Sequence, residues 1–298
     1  MIRTSPVPIS YLTTKYKFVL GRRVTGLLSE PFDKVSLRKR VLRKNRDGGT
    51  AIMAYYIDTR TLSLRLDQIV GATNWDTRIM EVKDCGDRLV CTASLTIGGT
   101  SRESEGEELK QVVKYASYAD KKAAKDAGLP EPGPTMESGE LVFMKAGPQA
   151  RKRAASEFGV GAYLYDLKDI SEPLNDRGFP KDNNIDMMNL PEWARPTPGP
   201  VLVVREAAYL LGIQLPEDLK QVPKEDTERI QALLNDEFGV KTLSTGFSRE
   251  DYLELAAVIA RISDYLDANG GTLDDIKEEY AVNRVTAADR VPVTDEAS

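Results

Sequence analysis

RLVCTASLTIGGTSRESE, residues 88–105, decides the fold. Leu89, Cys91, Ala93, Leu95 and Ile97 alternate with Arg88, Thr92, Ser94 and Thr96. That period of two sends one face of a strand to a core and the other to solvent. Gly98-Gly99 is a two-residue turn that returns the chain as a second strand over 100–105. Upstream, Trp75–Lys83 reads as a strand and Thr50–Ile57 is β-rich. Between them, Leu62, Leu66, Ile69 and Val70 form one helical stripe over 59–70, closed by Gly71. The order is strand, helix, then a three-strand meander.

Downstream, a Lys- and Ala-rich helix is expected from about Glu105 to Ala127. Residues 128–148 carry Pro130, Pro132, Pro134 and several glycines and read as a loop, with Pro148 opening a short helix that Gly159 ends. The class is α+β, a β-β-β-α core with an α-helical C-terminal region. Four parts are expected: a basic arm over 1–49, the core over 50–170, a Pro- and Gly-rich linker over 171–200, and an acidic helical region over 201–298. Within the arm, Phe32, Val35 and Leu42 share one face of a helix over Pro31–Asn45, leaving Lys34, Arg38, Lys39, Arg40, Arg43 and Lys44 on the other. In the last part the helices run to about 282, Ser248 with Asp251 and Thr272 with Asp275 resemble capping boxes, and the tail ending VPVTDEAS reads as disordered.

Composition narrows function by exclusion. The chain has 298 residues, 41% of them apolar, enough for a real core. No run reaches the ~18 apolar residues of a membrane helix, and the N-terminus shows no signal-peptide core. Cys85 and Cys91 make neither a disulfide framework nor a zinc set, so the chain reads as reduced and cytoplasmic. There is no histidine, which removes the usual general base and the commonest metal ligand. Neither Gly-Lys-Ser/Thr nor GxGxxG occurs, so no nucleotide cofactor is expected. Charge is uneven: residues 1–46 hold 12 Lys and Arg against 2 Asp and Glu, while residues 169–298 hold 13 against 26. One end suits an anionic polymer and the other suits solvent or protein contacts.

The chemistry-bearing stretch is RKRAASEFGVGAYLYDL, residues 151–167. Arg151, Lys152 and Arg153 run into small and aromatic residues and a pair of glycines, an arrangement suited to holding a polyanion against a rigid surface. Tyr55, Tyr56, Trp75, Tyr163 and Tyr165 are available for base stacking or for the core. Two acidic groups admit other readings, one of them enzymatic. Glu81 and Lys83, on one strand after Asp67 or Asp76, are the residue types of a Mg²⁺-dependent nuclease. Glu103, Glu105, Glu107 and Glu108 form either a cation site or a strand end and helix start. A third reading makes the acidic C-terminal region an adaptor for a replication or repair protein, such as a single-stranded-DNA-binding protein, or a DNA mimic folded over the basic residues.

Three segments, in this order, resemble a known family: YIDTRTLSLRLDQIVGATNW from Tyr56 to Trp75, LTIGGTSRESEGEE, and the 151–167 stretch. The chain is similar over about residues 50–168 to the Rad-fifty-two superfamily of single-strand annealing proteins, in its DdrA-like bacterial and phage branch. The resemblance implies a homo-oligomeric ring with single-stranded DNA in a basic groove, annealing or end protection without ATP, and no catalysis. It carries the family's basic pair onto Lys152 and Arg153. The family's turn arginine has no aligned counterpart, and Arg60 stands one residue early. Ser104 and Ser156 depart from the family's acid and base at those places. The candidate contacts are Lys152, Arg153, Arg151, Arg60, Arg65, Lys39, Arg40 and Arg43.

Overall fold

The structure, a computed structural model, describes residues 18–276 apart from 47, 115, 117, 131, 134, 139–141, 168–169, 177, 182–184 and 244–246. Most of the expected basic arm's beginning, the end of the helical stretch and the tail lie outside these residues. Two units divide the chain: residues from Thr25 to Pro198, and residues up to Val24 together with those from Gly199. Among the described residues no helix is long and apolar enough to cross a membrane.

The first unit is α+β. Strand β1 (Arg38–Lys44) pairs antiparallel with β2 (Thr50–Tyr56), and β2 with the short β8 (Ser171–Pro173). Ala51, Met53 and Tyr55 alternate into the core from β2. Helix α2 (Thr59–Val70), the next helix after α1 (Arg22–Leu28), follows as its periodicity requires: Leu62, Leu66, Ile69 and Val70 are all buried. Asp58 caps it by accepting from the Thr61 N–H at 2.7 Å, and Gly71 ends it at φ 85°, where a side chain would be strained. The meander β3 (Trp75–Asp84), β4 (Arg88–Ile97) and β5 (Thr100–Leu109) pairs in that order.

Three expectations are corrected. The helix over Pro31–Asn45 is absent. Asp33–Ser36 forms a turn, Val35 and Leu42 are each 64% exposed, and 38–44 is strand β1. A helix there would stack Lys39 on Arg43 and Arg40 on Lys44, like charges at i, i+4. A hairpin through Gly48 (φ 68°) spreads them and completes β2 instead. The helix from Glu105 shrinks to α3 (Tyr118–Asp126), because β5 matches β4 along its whole length, from Ile97↔Thr100 to Arg88↔Leu109. The loop over 128–148 contains β7 (Thr135–Ser138), paired with β6 (Gln111–Lys114), and the start of α4 (Val142–Ser156). Pro148 therefore lies inside α4. The carbonyl it leaves without a helical donor belongs to Met144, a residue 65% exposed.

Helix α4 lies on the meander through small residues. Ala146 and Ala150 pack with Cys91 and Ala93, and with Ile79 and Leu89 beside them. Gly106 on β5 makes this possible, since a Cβ there would stand 2.3 Å from the Ala146 carbonyl oxygen and 2.4 Å from the Ala150 nitrogen. The expected linker is built into this unit: β8 joins β2, and Leu174, Ile185, Leu190 and Ala194 are buried.

The second unit is helical, with α5 (Gly199–Leu210), α6 (Lys224–Phe238) and α7 (Arg249–Asn269). Ser248 and Asp251 form the expected capping box on α7, and Thr272 and Asp275 bond reciprocally in the same way. Asp264, 1% exposed, accepts from the Arg23 and Val24 N–H groups, and Arg23 pairs with Glu206 at 2.6 Å. Burial raises the Asp264 and Glu206 carboxyls above the usual carboxylate range, against the pull of these donors.

Candidate nucleic-acid interface

A groove of about 1150 Å³ opens between the β1–β2 hairpin, α4 and the 3-10 turn at Ala162–Tyr165. Its position follows from the fold. Helix α4 spends one stripe on the meander, and the neighbouring stripe, Lys145, Gln149, Lys152 and Arg153, faces the hairpin. Strand β1 supplies Arg40 and Arg43 through a β-bulge. Arg38 and Arg40 stand opposite Tyr56 and Ala54, and the register shift between Val41 and Arg43 places Arg43 opposite Ile52. An unbroken alternation would have put Arg43 on the face of Lys39 and Val41. The glycines of the 151–167 stretch set the remaining wall. Gly159 and Gly161 adopt φ 91° and 68°, and a Cβ on Gly159 would stand 2.0 Å from Ser29 Oγ.

The groove is lined by five cations, Arg40, Arg43, Lys145, Lys152 and Arg153, and among the described residues by one acid, Glu108. Glu108 is engaged by Lys145 at 3.2 Å and by the Gln149 amide at 3.3 Å. Arg153 spends one N–H on the Glu105 carbonyl at 2.9 Å, which fixes its stem while leaving other donors. Two cations stand over one exposed ring: Lys152 Nζ is 5.6 Å and Arg40 Cζ 6.0 Å from the Tyr56 centroid. Burial, and then Arg40, lower the Lys152 ammonium below the ordinary lysine range, with Asp58 opposing. With five cations against one acid, the lining is net positive, and an anion in the groove would offset it. Tyr56 and Tyr165 present exposed ring surface to the groove, whereas Tyr55 is spent on structure.

Of the expected contacts, Lys152, Arg153, Arg40 and Arg43 line this groove. The others go elsewhere. Arg151 is half-buried outside the lining, its Nε without a hydrogen-bond partner among the described residues. Arg60 is exposed on the first turn of α2. Arg65 is 4% exposed, lies 4.0 Å over the Phe32 ring and donates to the Glu30 carbonyl at 2.8 Å, so it is an interior residue. Lys39 pairs at 2.5 Å with Glu172, which also accepts from the Tyr55 hydroxyl at 2.6 Å. Burial first, and then Glu172, push the Tyr55 phenol well above its usual value. Lys145 was missed because its stretch reads as loop, although its i+7 and i+8 spacing to Lys152 and Arg153 is helical.

The nuclease residues do not assemble. Glu81 and Lys83 are an exposed pair at 3.8 Å on β3. Asp67 accepts from the Trp75 indole at 2.9 Å, and Asp76 pairs with Arg78 at 2.7 Å. The glutamates of 103–108 lie along β5 rather than together: Glu107 pairs with Arg88 and Glu108 turns to the groove. Among the described residues no three His, Cys, Asp or Glu side chains converge as metal ligands.

An α+β scaffold with an open, cationic, aromatic-lined groove has the geometry of a protein that holds an anionic chain. No family model matches the chain. It is 31% identical over 210 residues to the single-stranded DNA-binding protein DdrA of Deinococcus deserti, which covers 68% of this chain and 86% of the relative. It is 29% identical over 197 residues to the protein of the same name from Deinococcus radiodurans, covering 64% of this chain and 78% of the relative. The chain belongs to the DdrA family.

Proposed function

We propose that this chain binds single-stranded DNA in the groove, independently of ATP and of sequence, as part of DNA repair. The relatives are single-stranded DNA-binding proteins by name. The phosphates face Arg40, Arg43, Lys145, Lys152 and Arg153, and unpaired bases reach Tyr56 and Tyr165. The observation that carries this reading is the convergence of Lys152 and Arg40 over the exposed Tyr56 ring. A phosphate-binding pair beside a stacking surface suits a strand with accessible bases better than a duplex, whose bases are already stacked. The resemblance of residues 50–168 to the Rad-fifty-two superfamily supports a further part of the reading, assembly into a ring that displays the strand for annealing or shields its end.

Three measurements test this. Labelled single strand and duplex are titrated with the full chain, and single strand is expected to bind tighter. Complementary oligonucleotides are mixed with the parent and with a Lys152→Ala plus Arg153→Ala variant, and the parent is expected to speed annealing. A variant that binds and anneals like the parent defeats the site assignment. Particle imaging of the purified protein reports whether rings form.

A further inference from the structure

A second cleft, of about 910 Å³, runs along the outer edge of β1 within the same unit. Its cations are Lys34, Arg38, Lys39, Arg40 and Lys44, and among the described residues no acidic side chain lines it. Lys39 is committed to Glu172. Arg38 gives one nitrogen to the Val35 and Leu37 carbonyls, which aims the guanidinium without exhausting its donors. Lys34 and Lys44 are exposed and make no ion pair among the described residues, and Lys44 extends over Gly178, where a Cβ would stand 2.4 Å from its Nζ. Next to that glycine, Phe179 is 63% exposed in the lining of the cleft. Cations beside an exposed aromatic repeat the composition of the groove, and Arg40 and Tyr56 line both cavities.

β1 is an edge strand, and a bare edge can also take a strand from a second copy. Its sequence argues against that occupant. RKRVLRK carries five positive charges in seven residues, so two such edges side by side would repel. The same charge attracts a polyanion. We propose that the edge cleft is a second single-strand subsite, joined to the groove through Arg40 and Tyr56, so that a longer strand crosses β1 and occupies both. The proposal rests on the groove's being a single-strand site, and its test separates the two.

Oligothymidylates of about 4 and about 12 nucleotides are titrated by fluorescence anisotropy with the full chain. A cleft variant, Lys34→Gln with Lys44→Gln and Phe179→Ala, is compared with a groove variant, Lys152→Gln with Arg153→Gln. The cleft variant is expected to keep the parent's affinity for the short strand. For the long strand at about 0.1 M salt the two lost phosphate contacts should cost about 25-fold and make the salt slope shallower by about 1.4, and loss of the Phe179 stacking surface should add about 5-fold or more without changing the slope. Parental affinity and slope on the long strand overturn the proposal, as does an equal loss on both lengths. If the groove variant binds normally while the cleft variant loses the long strand, the cleft stands and the groove reading falls.

Discussion

Neutralising Lys152 and Arg153 tests the groove most directly, because its effect can be worked out beforehand. Five cations line the groove. One phosphate contact each gives a slope of log affinity against log salt of about −0.7 per contact on single strands, or about −3.5 in all. Lys152→Gln with Arg153→Gln removes two contacts and leaves about −2.1. At about 0.1 M salt the loss is then about 1.4 decades, roughly 25-fold or about 1.9 kcal/mol, and it shrinks to nothing on extrapolation to about 1 M. Glutamine retains most of the apolar stem, so the packing of Lys152 beside Tyr56 is largely kept. Anisotropy titrations between about 50 and 200 mM salt measure the slope. A loss of affinity with an unchanged slope would mean that the two side chains shape the wall instead of meeting phosphates. An unchanged affinity and slope would remove them from the interface.

Four further outcomes follow from single residues. Lys152 holds its proton less tightly than an ordinary lysine, and a phosphate beside it tightens that hold; affinity should therefore fall as pH rises through the lowered value toward 10.5, and Lys152→Arg should abolish that part of the pH profile. Gly106→Ala should cost about 1–3 kcal/mol in urea unfolding, since the new methyl meets backbone of α4 that cannot step aside. Arg65→Met should cost about 1.5–3 kcal/mol by leaving the Glu30 carbonyl short of its donor, with the salt slope of DNA binding unchanged. Ser248→Ala should cost the helical unit about 1 kcal/mol in thermal or urea unfolding, through loss of the α7 cap.

The parts of the fold legible in the sequence are those where one period dominates. The stripe of α2, the alternation of β4 and the capping pair at Ser248 and Asp251 each stand where their spacing places them. The misread parts are those where pairing with a distant strand overrides a local preference. The glutamates after Gly99 favour a helix locally, yet β4 offers a full-length edge and takes them as β5. Residues 31–45 offer three apolar residues at helical spacing, but β2 needs a neighbour and the charges prefer to spread. The site divides similarly. Arg40, Arg43, Lys152 and Arg153 are visible as charge, but charge alone does not show that Lys39 is claimed by Glu172 or Arg65 by a carbonyl. Tyr55 and Tyr56 read alike in sequence; strand alternation sends the first inward and the second to the groove.

Helix α4 also shows why the basic triplet is fused to alanines. Ala146, Ala150 and Ala154 recur every four residues and are fully buried, and with Gly106 opposite them the helix lies close against the sheet. Lys145, Gln149 and Arg153 repeat the same spacing one residue earlier, and Lys152 joins them at i+7. One helical step of about 100° therefore separates the stripe that makes the core from the stripe that lines the groove. Arg151 follows Ala150 by one step, on the far side of the buried stripe, and lies outside the lining, so the motif delivers two cations to the groove rather than three. Positioned this way, the cations sit on backbone that cannot drift without opening the Cys91–Ala93–Ala146–Ala150 core, so the proposed strand would need to impose little order on the protein when it binds.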